Sequence, residues 1–339
     1  MKVVCAIKIG KVIYLLVTKN IKFNRGAKMK KSLIFGLFLT ILLLSIGVNA
    51  SAESKEKVNW DGNTKDSLVI NDSLKITKLE DGRVKPVNPM RLINLNDVEL
   101  NEILIFMNHT DVEKIPRDIK VDMISAGGKG VESTEYNLKI ESFDNKGNLV
   151  SKDLIDLNKK NTEFSTLALP SETTFCFTGM GCFDNNLGIS YIGKSGTNFQ
   201  YRFYNYYDWN GYPPFGHTDR IGLAWSADGK KKASSDYGTH YAWMSNLNYY
   251  VQKTMAINTT NVYGTVMNVP LHGVSSEYGS QKVDVYYPDR NAGDIEIIQG
   301  EYAHNWQTVS NGISIGPASI DIAKTYKTFT LEKNFTVGK

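Results

Sequence analysis

Two hydrophobic rhythms divide the chain. Between residues 96 and 128, Leu100, Ile103, Leu104 and Met107 recur three and four positions apart, the spacing of one helix face. Asn96 with Glu99 three residues on has the form of a capping box, and Thr110 with Glu113 has the same form. Pro116 suits the opening of a further helix, with Ile119, Met123 and Ile124 on its inner side. Gly127 and Gly128 are residues that tolerate the left-handed stop. The pattern predicts a helical hairpin over 96–130 whose apolar stripe requires cover from another element.

From about residue 131 the rhythm is two. Tyr136, Leu138, Ile140 and Phe143 read as a strand, residues 144–147 as a turn, and Leu149 to Leu157 as the returning partner. Phe199, Tyr201 and Phe203 alternate with Gln200, Arg202 and Tyr204. Over 241–257 the odd positions carry Tyr241, Trp243, Leu247, Tyr249, Val251, Met255 and Ile257. Many short strands with antiparallel turn signals and no βα alternation predict a mainly β fold. The expectation is an antiparallel β-sandwich or barrel-like domain over 131–339, preceded by the small helical hairpin. Residues 53–95 are polar and uneven, and read as a mobile linker with one short strand near Leu74–Leu79.

The amino end carries a different signal. Met29, Lys30 and Lys31 precede an apolar run from Ser32 to Val48, and Ala50, Ser51 and Ala52 fit a signal-peptidase site. We expect a secretory signal peptide over 29–52, cleavage after Ala52, and a secreted product with no stable transmembrane segment. Residues 25–28 can be encoded by a purine-rich ribosome-binding sequence just before the Met29 codon. Translation is therefore expected to start at Met29, with residues 1–28 a mis-assigned extension. Lysine, asparagine and isoleucine usage suggests a Gram-positive bacterium. The segment from Met107 to Pro116, with Ser125 to Gly128, resembles a helical element of uncharacterised secreted proteins of Gram-positive bacteria. That resemblance implies a source and no particular activity.

Export changes the charge argument. The 339-residue chain has 39 basic and 35 acidic residues, net +4. Residues 1–52 hold nine basic residues and no acidic one, so the mature chain has 30 basic against 35 acidic, net −5. A basic nucleic-acid-binding protein is thereby disfavoured. The composition, 42% hydrophobic and 22% charged, is ordinary for a globular protein. Of three cysteines, Cys5 leaves with the leader. Cys176 and Cys182, outside a reducing compartment, are expected to form one disulfide across a glycine-containing loop. They are too few for a cysteine-cluster metal site.

Candidate chemistry is sparse. The window from Tyr204 to His217 concentrates six aromatic residues with Gly211, Pro213, Pro214 and Gly216. Read as an aromatic-rich loop, it nominates Tyr206, Tyr207, Trp209 and Tyr212 as ligand-binding residues for a cell-surface glycan or protein. The alternative is a secreted hydrolase with His217 as base, Asp219 orienting it and His240 nearby, or with His217 and His240 as metal ligands. No G-x-S-x-G, H-E-x-x-H or C-x-x-C motif accompanies them. His272 and His304 read as isolated, locally bonded residues, and no cofactor or metal is expected. The favoured reading is a secreted, non-enzymatic binding or antagonism protein acting at a cell surface.

Overall fold

The computed structural model describes residues 4–9, 12–17, 58–144, 146, 148–157, 174–176, 181–213, 218–305, 313–322 and 327–339. The expected signal peptide lies outside them. Among the described residues no helix is long and apolar enough to cross a membrane. The chain divides into a unit ending at Lys55 and a second running from Glu56 to Lys339.

In the first unit, β1 (Val4–Ile9) and β2 (Val12–Val17) form an antiparallel hairpin. The second unit begins with a hairpin of β3 (Thr64–Asn71) and β4 (Leu74–Leu79). Helices α1 (Asp97–Phe106) and α2 (Arg117–Ala126) follow. The chain then runs through β5 (Lys129–Gly130), β6 (Glu135–Phe143), β7 (Leu149–Asp156), β8 (Thr174–Cys176), β9 (Cys182–Ser195) and β10 (Asn198–Asn210). Next come β11 (Thr218–Trp225), β12 (Lys230–Lys231), β13 (Tyr237–Met244), β14 (Tyr249–Thr254), β15 (Ala256–Thr260) and β16 (Gly264–Pro270). The last are β17 (Ser276–Pro288), β18 (Ile295–His304), β19 (Ile313–Gly316), β20 (Ser319–Ile322) and β21 (Lys327–Thr336).

Two antiparallel sheets result, as the alternation predicts. Sheet I runs β14-β13-β17-β10-β9-β5, with β12 on β17 and β8 on β9. Sheet II runs β15-β16-β11-β18-β21-β6-β7. Alternation along β17 shows how the sequence chooses faces. Glu277, Gly279, Gln281, Val283, Val285 and Tyr287 are buried, whereas Tyr278, Ser280, Lys282 and Tyr286 between them are half-buried. The principal core joins Tyr201, Phe203 and Val285 of sheet I to Trp225, Ile298, Phe329 and Phe335 of sheet II.

Each sheet is also covered on its outer side. Leu100, Ile103, Leu104 and Met123 of the helices pack with Leu74, Ile76, Tyr204 and Tyr206 in a second core. Ile320 and Ile322 of the β19–β20 hairpin cover Ala224, Val266 and Ala303 of sheet II in a third. Strand β10 therefore faces two cores. Phe199, Tyr201, Phe203, Tyr207 and Trp209 enter the principal core, and Tyr204 and Tyr206 enter the helical one.

Asn96 caps α1 through the expected reciprocal bonds with Glu99, 3.0 and 2.7 Å long. The second box does not form. Asp111, in the left-handed region at φ 50°, begins a short 3-10 turn without a side-chain cap bond. The linker expectation for 53–95 is also corrected over its described part. Leu74, Ile76, Val84, Leu92 and Leu95 are core residues, and Arg83 clasps the segment to β9. Its guanidinium donates to the Ile192 carbonyl at 2.9 Å, the Asn59 carbonyl at 3.1 Å and Asp81 at 2.6 Å. The bulge at Gly193, φ 141°, makes room, since a Cβ there would stand 2.2 Å from Arg83 Nη1. Polarity misled the reading because few, widely spaced apolar residues suffice for a hairpin laid on a helix pair.

Cys176 and Cys182 are directly opposed in the β8–β9 ladder and form the expected disulfide. In the chain-entropy model, closing so short a ring stabilises the fold by roughly 2.4 kcal/mol.

Glu301 points from β18 into the third core, accepting bonds from the Ile322 N–H at 3.2 Å and the Thr330 hydroxyl at 3.1 Å. Burial raises its carboxyl to about 8, the Thr330 bond opposing the rise. A raised carboxyl keeps a proton in the native state that the unfolded chain releases, so stability falls as pH climbs from the ordinary carboxylate value towards 8. Glu301→Gln should remove this slope. Thermal melts should show the variant equal to wild type near pH 4 and more stable at pH 8, by an amount on the order of a few kcal/mol.

Candidate functional site

The residues nominated by the aromatic window separate into two environments. Residues 204–210 belong to strand β10, not to a loop. Tyr206 is buried under the helices, and Tyr207 and Trp209 are both 0% exposed in the principal core. These three cannot meet a ligand without unfolding, which corrects the loop expectation. Tyr212, 62% exposed beyond the strand end, keeps the surface position expected of it. Gly181 donates a backbone bond to its carbonyl, so it stands beside the disulfide turn.

Of the hydrolase constellation, the two described residues, Asp219 and His240, bond to different partners. His217 lies outside the described residues. Asp219, at the start of β11, is fully engaged by other groups. Its Oδ2 accepts from the Tyr302 hydroxyl at 2.7 Å and pairs with His304 Nδ1 at 2.8 Å, and its Oδ1 accepts from the Asn305 N–H at 3.0 Å. Trp209 Nε1 donates to the Tyr302 oxygen at 3.1 Å. Such saturation is that of a buried structural carboxylate. His304 is thus not an isolated residue but part of this cluster.

His240 belongs to a second buried group, on sheet I. Along β13, Gly238, His240 and Ala242 are buried while Tyr241 and Trp243 are half-buried. His240 lies opposite Gly279 of β17, which in turn lies opposite Tyr207 of β10. The missing side chain at Gly279 leaves a gap across the middle strand. Through it the Tyr207 hydroxyl and His240 Nδ1 meet at 2.6 Å. On its other side, His240 Nε2 stands 3.0 Å from Glu277 Oε2, without the alignment of a hydrogen bond.

Glu277 is completed by a turn. The N–H groups of His272 and Val274 donate to its carboxylate at 2.9–3.1 Å. His272 Nδ1 is 4.0 Å from the same Oε2, and the two imidazole planes are within 6° of parallel with centroids 5.5 Å apart. Burial would raise the Glu277 carboxyl, but His240 and the two backbone donors outweigh it and hold the pKa below its ordinary value. Burial, reinforced by the charge of Lys253, lowers that of His272. One ligand atom from each of His240, His272 and Glu277 lies within 4.8 Å of the others. His272 is thus also corrected from isolated to clustered.

The outer face of sheet I, away from both clusters, carries exposed aromatic chemistry. Tyr241 and Tyr278 are cross-strand partners with ring centroids 4.8 Å apart. Trp243 and Tyr250 are partners at 5.1 Å, and Tyr250 approaches Tyr278 at 5.1 Å. The four rings form one continuous, partly exposed ladder. Beside it, a groove of about 310 Å³ runs between α2 and the sheet, lined by Asp118, Asp122, Tyr237, Tyr241, Gln252 and Lys282 among others. Asp118 and Asp122, one turn apart on α2, fix the helix. The first accepts from the Tyr278 hydroxyl at 2.6 Å, and the second pairs with Lys282. Burial, then Asp118, raises the Tyr278 pKa. Asp122 Oδ2 is buried without a hydrogen-bond partner.

No family model and no curated protein matches the chain. Three solved structures are similar to about half of it. They are the NetB toxin of Clostridium perfringens in its membrane-inserted form, a pore forming protein, and the delta-toxin of Clostridium perfringens. Identities are 8%, 10% and 8%, with 48%, 47% and 48% of this chain and 94%, 88% and 87% of theirs covered. The TM-scores are 0.25, 0.23 and 0.22, too low to carry a functional argument.

Gly279 is the position on which the His240 group depends. A Cβ there would meet the Thr239 carbonyl at 2.5 Å and the Tyr207 hydroxyl at 2.8 Å. Gly279→Ala should lower the unfolding free energy by about 1–3 kcal/mol in urea titration. Tyr207→Phe, which deletes only the hydroxyl, should cost about 1 kcal/mol. An alanine variant as stable as wild type would show that the strand gap is not required.

Proposed function

We propose that the protein is an exported, non-enzymatic binding protein that acts at a cell surface through the outer face of sheet I. The observation that carries this reading is the ladder of Tyr241, Tyr278, Tyr250 and Trp243 beside the α2 groove. Aromatic faces stack on the C–H faces of sugar rings. The carboxylates, amide and hydroxyls around them supply the hydrogen-bond acceptors and donors that saccharide hydroxyls require. A cell-surface glycan is accordingly the ligand class we favour over a protein. Tyr212, exposed near the disulfide, remains a candidate contact of the same protein. The signal sequence over 29–52 and the disulfide support export.

The mature chain should be retained on target cells or on an immobilised glycan array. Trp243→Ala and Tyr250→Ala should each weaken retention by about 10-fold, the loss of one stacking contact, while circular dichroism and melting temperature stay near wild type. Retention unchanged in both variants would remove this face from consideration. Loss in a Tyr212→Ala variant alone would move the contact surface to the disulfide end.

A further inference from the structure

We propose that His240, His272 and Glu277 bind one zinc ion in the principal sandwich, a site separate from the aromatic ladder. The donor set, two imidazole nitrogens and one carboxylate oxygen, is one that zinc selects, with water or an exogenous group as fourth ligand. The local geometry brings the three donors together. His240 is fully buried, and neither its Nε2 nor His272 Nδ1 makes a well-aligned hydrogen bond. Both nitrogens face the same oxygen, Glu277 Oε2, at 3.0 and 4.0 Å. Ligand atoms on a tetrahedral zinc stand about 3.4 Å apart and the three here lie within 4.8 Å of one another, so an inward adjustment is needed. It falls on His272, the one ligand of the three that keeps some exposure.

The surrounding residues orient the ligands. The Tyr207 hydroxyl holds His240 Nδ1 at 2.6 Å, which orients the ring so that Nε2 is directed towards Glu277. Backbone N–H groups of His272 and Val274 hold the carboxylate in place. The ion would tie three elements together: β13 through His240, β17 through Glu277, and the turn between β16 and β17 through His272. Lys253, opposite His240 on β14, is the cation that opposes binding.

The test uses the mature chain without a polyhistidine tag, stripped with chelator and titrated with zinc chloride at neutral pH by calorimetry. One zinc should bind per chain. His272→Ala and Glu277→Gln, each checked for fold by circular dichroism, should weaken binding by about 100-fold or more, since each removes a direct ligand. Lys253→Ala should strengthen it by about 3-fold, the removal of one exposed charge. Cobalt added in place of zinc should give tetrahedral d–d absorption that His272→Ala abolishes. His272 is partly exposed, so its truncation leaves the core intact and keeps the test decisive. Absence of saturable zinc binding by wild type would overturn the proposal. So would equal affinity and stoichiometry in wild type, His272→Ala and Glu277→Gln.

Discussion

Strand β10 must satisfy two cores at once, and the layering of the second unit follows from that demand. Its inward rings close the gap between the sheets, and its outward Tyr204 and Tyr206 need a cover that the helices provide. Burying both faces of one strand removes on the order of several hundred square ångströms of aromatic surface from water. The helical pair is thus a structural lid on sheet I, and its acidic face, Asp118 and Asp122, reaches the neighbouring β17 by way of Tyr278 and Lys282.

The same two-sided strand explains the division of labour among aromatic residues. Rings on β10 contribute stability, and rings on the edge pair β13 and β14 remain partly exposed. A polar seam still crosses the interior, from His272 through Glu277 and His240 to Tyr207. Tyr207 packs against Tyr302 at 4.8 Å, and Tyr302 bonds Asp219. Such a seam is costly to bury unless each group is matched. Asp219 is matched by three donors, whereas Nε2 of His240 is not.

Local features were readable in the sequence and pairings between strands distant in sequence were not. The Asn96–Glu99 cap, the faces of α1 and α2 and the period-two strands are set by neighbours within a few residues. The strand near Leu74–Leu79 was also visible. By contrast, the aromatic stretch of β10 has no apolar–polar alternation, because both faces are buried, and the Gly and Pro residues after it suggested a loop. Glu277 carried no motif signal. Its meeting with His240 depends on the register that sets Ala242 opposite Glu277 and His240 opposite Gly279. A glycine opposite a tyrosine and a histidine is the one sign of the arrangement, and it becomes legible only when the pairing is known.

The pairing of β6 with β21 carries a further implication. Leu138 lies opposite Leu331, and β21 is the partner that joins β6 and β7 to the rest of sheet II. The paired residues are nearly two hundred positions apart, so this ladder is a high-contact-order pairing that cannot zip until β21 has been made. Until then the β6–β7 hairpin waits without its neighbour, and premature closure of the sandwich is topologically delayed.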